Sequence, residues 1–164
     1  MTDIAVRIGH GYDIHRLRPG GTLRLGGVVV DTTRSAVAHS DGDVVLHAVV
    51  DAILGALALG DIGEHFPNDD PRWKGGASAV FLEHAMEAVR TSRMRVENLD
   101  VTILCERPKL KSFKAEMVRN LTSLTGAEAV NIKAGTNEGC DAIGRGEAVA
   151  AHAVVLLASE PQSP

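Results

Sequence analysis

Residues 44–59 read VVLHAVVDAILGALAL, the longest apolar stretch of the chain. Its apolar side chains would run almost all the way round a helix, which predicts a buried helix rather than an amphipathic one. Ser40-Asp41 precedes it as a typical N-cap, Asp43 suits the first turn, and Gly60 suits the C-terminal cap. One His and one Asp interrupt the stretch, which is too short and too polar to span a membrane. We therefore expect a core helix that carries two polar side chains.

Strand and helix patterns alternate on both sides of this helix. The pattern predicts an α/β (α+β) fold, a two-layer sandwich of a mixed β-sheet and helices. Strands are expected at 6–8 continuing through 12–15, at 23–30 with a break at Gly26-Gly27, at 99–104 and at 130–134. Helices are expected at 77–93 and 113–124, a loop at 61–76, and either a strand or a helix at 148–158. Residues 1–159 are expected to form a single domain and 160–164 a disordered tail.

Composition excludes several function classes. The chain has 164 residues, the usual size of one domain. Its net charge of −4 and its 3% of aromatic residues argue against a nucleic-acid partner. Cys105 and Cys140 fit no zinc-finger or disulfide pattern, and the N-terminus does not resemble a signal peptide. We therefore expect a cytoplasmic protein with reduced thiols and no membrane partner.

Three residues have the chemistry of a metal site. Asp13 and His15 are two apart on an extended segment, so both side chains point to one face. His47 lies within the apolar helix, where an imidazole needs a polar partner or a metal. Together they supply three N/O ligands, the number found in a catalytic zinc site with an open fourth position. The alternative is a hydrogen-bonded core histidine beside a chance Asp-x-His. Asp43 and Asp51 flank His47 at four-residue intervals, and either is expected to orient its ring.

Two further segments could bind phosphate or a hard cation. His39-Ser40 precedes the core helix, where free amides form an anion site, although an ordinary N-cap is the simpler interpretation. In the loop segments 133–138 and 144–147, Glu138 could hold Mg²⁺, while Thr136 and Arg145 could donate to phosphate oxygens. The alternative for these loops is a solvated turn. No Walker A loop, Rossmann fingerprint or nucleophile motif is present.

Four segments, read together, resemble the 2-C-methyl-D-erythritol 2,4-cyclodiphosphate synthases of the non-mevalonate isoprenoid pathway. They are GHGYDIH at 9–15, AHSDGDVVLH at 38–47, GDIG at 60–63 and FP at 66–67. The likeness extends over about residues 6–158. It implies a homotrimer around a threefold axis, with active sites between neighbouring subunits. The implied substrate is 4-diphosphocytidyl-2-C-methyl-D-erythritol 2-phosphate, whose 2-phosphate attacks the β-phosphate, closes a cyclic diphosphate and releases CMP.

The resemblance also implies a role for individual residues. Asp13, His15 and His47 would hold Zn²⁺, and Glu138 would bind Mg²⁺ or Mn²⁺. His39 and Thr136 would stabilise the transition state. The positions that match substrate-binding residues are Asp13, Ile14, His15, His39, Ser40, Asp61, Ile62, Gly63, Phe66, Pro67, Asn68, Asp69, Asp70, Gly135, Thr136, Asn137 and Glu138. The loop that would receive cytidine from a neighbouring subunit is Cys105, Glu106, Arg107, Pro108, Lys109, Leu110 and Lys111. Ala142 and Arg145 match residues around a central cavity on the threefold axis, where isoprenoid diphosphates can bind.

Three positions depart from the commonest bacterial pattern. Gly135 replaces a threonine, Asn68 replaces an aspartate, and Ala142 replaces a phenylalanine. The segment 139–143 is more similar to the plant-like branch. Two alternative functions fit the same ligands: a zinc phosphohydrolase with water as the nucleophile, and a non-catalytic trimer that binds a metal or an isoprenoid diphosphate.

Overall fold

A computed structural model describes residues 5–67, 69–73 and 75–160. The predicted tail therefore lies outside the described residues from position 161 onward. The strands are β1 (Val6–Pro19), β2 (Leu23–Leu25), β3 (Val28–Asp31), β4 (Arg34–Ala36), β5 (Met94–Leu104), β6 (Ala129–Gly135) and β7 (Ala148–Ser159). The helices are α1 (Val44–Ala56), α2 (Ile62–His65), α3 (Ser78–Thr91) and α4 (Lys114–Thr125), with a 3₁₀ turn at Pro71–Trp73.

The main sheet has five strands in the order β4-β1-β7-β5-β6. β5 and β6 are parallel and the other neighbours are antiparallel, so the predicted mixed sheet is confirmed. α1 packs on β1 and β7, α3 on β5, and α4 on β6. Because Ile8, Tyr12, Ile14 and Val154 are exposed on the opposite face, the helices form one layer and the sheet the other. No helix among the described residues is both long and apolar enough to cross a membrane.

The start of α1 differs from the sequence expectation. The helix begins at Val44, and Asp43 rather than Ser40-Asp41 is its N-cap. The Asp43 carboxylate is fully buried and accepts hydrogen bonds from four backbone amides, those of Gly26, Gly27, Val45 and Leu46. Four donors offset the cost of burying a carboxylate, which explains why Asp43, and not Ser40 or Asp41, is the N-cap.

Two other expectations change. The segment 61–76, expected as a loop, contains α2 and the 3₁₀ turn. Asp61 caps α2 by accepting a hydrogen bond from Glu64 N at 3.0 Å. The expectation of a loop rested on the Asp, Pro and Gly content of the segment and overlooked this capping residue. The segment left open at 148–158 is a strand, because it pairs with β1 on one side and β5 on the other.

Two glycines allow α1 to lie unusually close to β1. A Cβ on Gly9 would lie 1.8 Å from the carbonyl oxygen of Ala52, and one on Gly11 would lie 1.9 Å from that of Ala48. Both distances are far too short for a contact between non-bonded carbon and oxygen atoms. Any residue larger than glycine would therefore force the helix away from the strand. The helix side of the contact consists of small residues for the same reason.

Gly11→Ala is expected to lower the free energy of unfolding by about 2–3 kcal/mol or more, because backbone rather than a flexible side chain blocks the new methyl group. Urea unfolding followed by circular dichroism measures the change. Gly55→Ala is the matched control within α1. A Cβ there meets nothing within 4 Å, so this variant should be as stable as the parent or more stable by about 0.5–1 kcal/mol. Equal stability of Gly11→Ala and the parent would contradict the close contact.

Candidate metal centre

Asp13, His15 and His47 meet where β1 crosses the first turn of α1. Asp13 Oδ2 lies 2.9 Å from His47 Nδ1 and 3.2 Å from His15 Nε2. One ligand atom from each of the three side chains lies within 4.8 Å of the others. Strand alternation places both β1 residues on the face that carries Gly9 and Gly11, which is the face under α1. The predicted ligand set is therefore assembled in space by the strand, the helix and the two glycines.

The polar groups of this cluster fit a divalent cation. His15 Nε2 is buried and makes no hydrogen bond within the part of the chain that the structure describes, despite its proximity to Asp13. A buried ring nitrogen without a partner is costly, and a metal ion would satisfy it. Burial raises the pKa of Asp13, but the adjacent imidazoles of His15 and His47 outweigh it and hold that pKa well below its usual range. The carboxylate is thus ionised and available as a ligand.

The cluster opens into a cavity of about 300 Å³. Its walls combine the three ligand residues with largely apolar surface from four other segments: the approach to α1, α2 with Phe66, the 3₁₀ turn, and the start of α3. The lining residues are Asp13, His15, Val37, Ala38, His39, Ser40, His47, Ile62, Gly63, Phe66, Trp73 and Phe81. A small, partly polar substrate would fit in this volume with its charged end at the metal ligands.

Several predicted site residues lie away from this cavity. Ile14 points to the opposite face of the sheet and is 43% exposed. Asp61 caps α2, and Asp70 pairs with Arg72 at 2.6 Å. Pro67 and Asp69 are exposed, and Asn68 lies outside the described residues. The predicted residues of segments 105–111 and 135–145 do not line this cavity either.

Those two distant segments begin at the same end of the sheet as the metal ligands. Asp13 pairs with Ala151, Ala151 with Ile103, and Ile103 with Ala134, so the four residues form one row across the strands. With strands about 4.8 Å apart, Asp13 and Ala134 are separated by about 14 Å. Thr136 follows directly after the end of β6. We therefore expect it to be about as far from the metal ligands of the same chain as Ala134 is. Within one chain the predicted site is divided into two parts.

The second part has its own groove. Asp31, Thr33, Arg34 and residues 106–109 line a space of about 570 Å³. Arg34 holds the backbone there by donating to Arg107 O at 2.6 Å. The Cys105 thiol is buried, which raises its pKa and makes it a poor nucleophile.

The loop after β6 joins this groove at the strand ends, since Cys105 N donates to Gly135 O at 3.0 Å. Thr136 Oγ1 donates to Glu138 Oε1 at 2.5 Å; Glu138 is exposed and Thr136 is half-buried. Ala142 is partly buried beside Ile143, while Arg145 pairs with Glu147 at 3.0 Å.

The expected partners of the His47 ring are wrong. The Asp43 carboxylate is committed to four backbone amides, and Asp51 accepts a hydrogen bond from Ile62 N at 2.8 Å. His47 Nε2 instead lies 2.8 Å from Ser78 Oγ and 3.2 Å from Ser40 Oγ. Sequence reasoning missed Ser78 because it is 31 residues from His47, with no periodicity to connect them. Free amides do not form an anion site at the start of α1, the alternative left open beside an ordinary N-cap, because the Asp43 carboxylate accepts from Val45 N and Leu46 N. His39 and Ser40 line the cavity instead.

Fold and site together define a mixed-sheet protein with a candidate metal site of one aspartate and two histidines. The sequence profile of the YgbB family matches residues 6–158, and the chain belongs to this family. It is 52% identical over 92% of its length to the 2-C-methyl-D-erythritol 2,4-cyclodiphosphate synthase of Xanthomonas axonopodis, and covers 92% of that protein. It is 50% identical over 92% of its length to the chloroplastic synthase of Arabidopsis thaliana, and spans 66% of that longer chain. A solved structure, the CDP complex of IspF from Plasmodium falciparum, superposes with a TM-score of 0.84 at 32% identity, covering 95% of this chain and 97% of that one.

His47→Ala is expected to weaken Zn²⁺ binding to metal-stripped protein by at least about 100-fold, because it removes one of three ligands. Isothermal titration calorimetry with ZnCl₂ measures the affinity. His84→Ala is the control, since His84 is an exposed histidine outside the cluster. Unchanged binding by His47→Ala would show that the cluster is not the zinc site.

Proposed function

We propose that this protein converts 4-diphosphocytidyl-2-C-methyl-D-erythritol 2-phosphate to 2-C-methyl-D-erythritol 2,4-cyclodiphosphate with release of CMP. An oxygen of the 2-phosphate attacks the β-phosphorus, and the bond from that phosphorus to the oxygen of the CMP phosphate breaks. No outside nucleophile is needed, because the substrate carries both reacting groups. The reaction is a step in supplying isoprenoid precursors.

Both cysteines are unpaired, which supports the proposed cytoplasmic location.

The observation that carries this proposal is the Asp13–His15–His47 cluster at the base of the cavity. Zn²⁺ bound there would withdraw charge from the phosphate under attack, and Mg²⁺ or Mn²⁺ held by Glu138 would neutralise the diphosphate that loses CMP. The protein residues position the substrate and exclude water. His39 and Ser40 lie on the cavity wall, where they can donate hydrogen bonds to phosphate oxygens. The apolar wall of Ile62, Phe66 and Phe81 suits the carbon skeleton of methylerythritol.

We further propose that neighbouring subunits of a homotrimer complete each site. The strand spacing supports this arrangement, because about 14 Å separates the ligand strand β1 from β6, the strand that leads to Thr136 and Glu138. The groove beside residues 106–109 would receive cytidine while the metal cluster of the next subunit holds the phosphates. Thr136 then acts beside His39 in stabilising the transition state, although the two residues belong to different chains. Ala142 and Arg145 would lie near the threefold axis.

The reaction product tests the proposed function directly. Purified protein with the cytidyl diphosphate substrate, Zn²⁺ and Mg²⁺ is followed by phosphorus NMR. We expect CMP together with two mutually coupled resonances of a cyclic diphosphate. CMP with a linear phosphorylated product would assign a zinc phosphohydrolase, and no turnover by the metal-loaded protein would assign a binding protein.

Mixing two inactive variants tests the shared site. His47→Ala lacks a metal ligand, and Glu138→Ala lacks the carboxylate of the distant loop, so each alone should be inactive. When the two are co-expressed in equal amounts, random assembly pairs an intact cluster with an intact loop at about a quarter of the interfaces. Activity near that fraction of the parent is expected. The control is a mixture of parent and His47→Ala, whose activity should follow the fraction of parent chains. If that control is active and the mixture of the two variants is not, the whole site lies within one chain.

A further inference from the structure

The Nε2 atom of His47, the ring nitrogen that faces away from Asp13, lies beside a buried hydroxyl group. On the cavity side, His47 Nδ1 lies 2.9 Å from Asp13 Oδ2. On the opposite side, Nε2 lies 2.8 Å from Ser78 Oγ, and Ser78 is fully buried at the start of α3. The imidazole is therefore held between the metal ligands and an interior group that no solvent reaches.

Ser78 is in turn bound to Asp41 through both its hydroxyl and its backbone. Ser78 Oγ donates a hydrogen bond to Asp41 Oδ1, and Ser78 N donates to Asp41 Oδ2 at 3.1 Å. A serine at a helix start usually caps its own helix, but α3 has no side-chain cap at Ala77. Asp41 takes over that task from the loop before α1, which leaves the Ser78 side chain free to face His47.

The number of available hydrogens determines which group donates and which accepts in the series of hydrogen bonds Asp41–Ser78–His47. A hydroxyl has one hydrogen and a carboxylate can only accept, so the Ser78 hydrogen goes to Asp41. The Ser78 oxygen then accepts from His47, which requires the hydrogen of that bond to be on Nε2. Nδ1 is left to offer its lone pair to a cation between Asp13 and His15. Ser40 Oγ, at 3.2 Å from Nε2, is a more distant second acceptor, and its own hydrogen remains available to the cavity.

We propose that Ser78 is a positioning residue for the metal site, acting with Asp41 to hold His47 in the orientation and tautomer that bind the ion. The anionic end of the Asp41–Ser78–His47 chain also makes the imidazole a stronger ligand. Asp41 lies between His39-Ser40 and α3, and its backbone N–H donates to Gly76 O at 3.1 Å. The same contacts that orient the ligand therefore fix the loop carrying two cavity residues. The inference rests on the metal site proposed above, but not on the cyclisation reaction.

Zinc affinity of metal-stripped protein, measured by competition with a chromophoric chelator, is the first test. Ser78→Ala should weaken Zn²⁺ binding by about 10- to 100-fold, and Ser78→Thr, which keeps the hydroxyl, should recover most of it. Thr125→Val is the matched control. Thr125 is also a buried hydroxyl, donating to Leu121 O at 2.7 Å, but it lies in α4, outside the metal cluster. This control should lose stability while keeping its zinc affinity.

The tautomer of His47 is the second test, and its main readout is made on the parent protein. Long-range proton–nitrogen NMR of the zinc-loaded, ¹⁵N-labelled parent should show hydrogen on Nε2 and a metal-shifted Nδ1. In Ser78→Ala the Nε2 hydrogen should exchange with water much faster. Hydrogen on Nδ1 in the parent, or zinc binding by Ser78→Ala within about twofold of the parent, would overturn the proposal. Neither readout depends on turnover, so failure of the cyclisation assay would leave this inference standing, and the reverse also holds.

Discussion

The close contact between α1 and β1 is the constraint on which the rest of the structure depends. Gly9 and Gly11 let the helix backbone lie against the strand, and this brings His47 Nδ1 to 2.9 Å from Asp13 Oδ2. Asp43 fixes the helix along its axis by tying the first turn to the β2–β3 turn through backbone amides. A displacement of about 1 Å in either contact would separate the ligand atoms, so packing and metal chemistry cannot vary independently here.

The elements and the ligand set were predictable because their signals are local. Asp13 and His15 share a face by strand alternation, and the apolar run around His47 is recognisably a core helix. The exact start of α1 was not predictable, because three acidic or hydroxyl residues compete for the cap and only the distant amides of Gly26 and Gly27 decide between them. The partner of His47 was missed for the same reason. Its contact with Ser78 joins two helices that sequence spacing does not relate.

Sheet geometry separates the metal cluster from the segments that follow β5 and β6 within one chain. β1 and β6 are three strand spacings apart, so about 14 Å separates Asp13 from Ala134, two residues before Thr136. In the shared site proposed above, the groove beside residues 106–109 and the metal cavity are two incomplete halves. Assembly of identical chains around an axis would supply the missing half to each copy, and catalysis would then require the oligomer rather than only be stabilised by it.

Anomalous X-ray diffraction at the zinc edge, from crystals grown with CDP and Zn²⁺, tests this account most directly. We predict one strong peak about 2.0–2.3 Å from the ligand atoms of Asp13, His15 and His47. A second copy of the chain should place its residues 106–109 around the cytidine whose diphosphate approaches that metal. A zinc peak elsewhere, or a nucleotide bound wholly by the chain that holds the metal, would contradict the central claim.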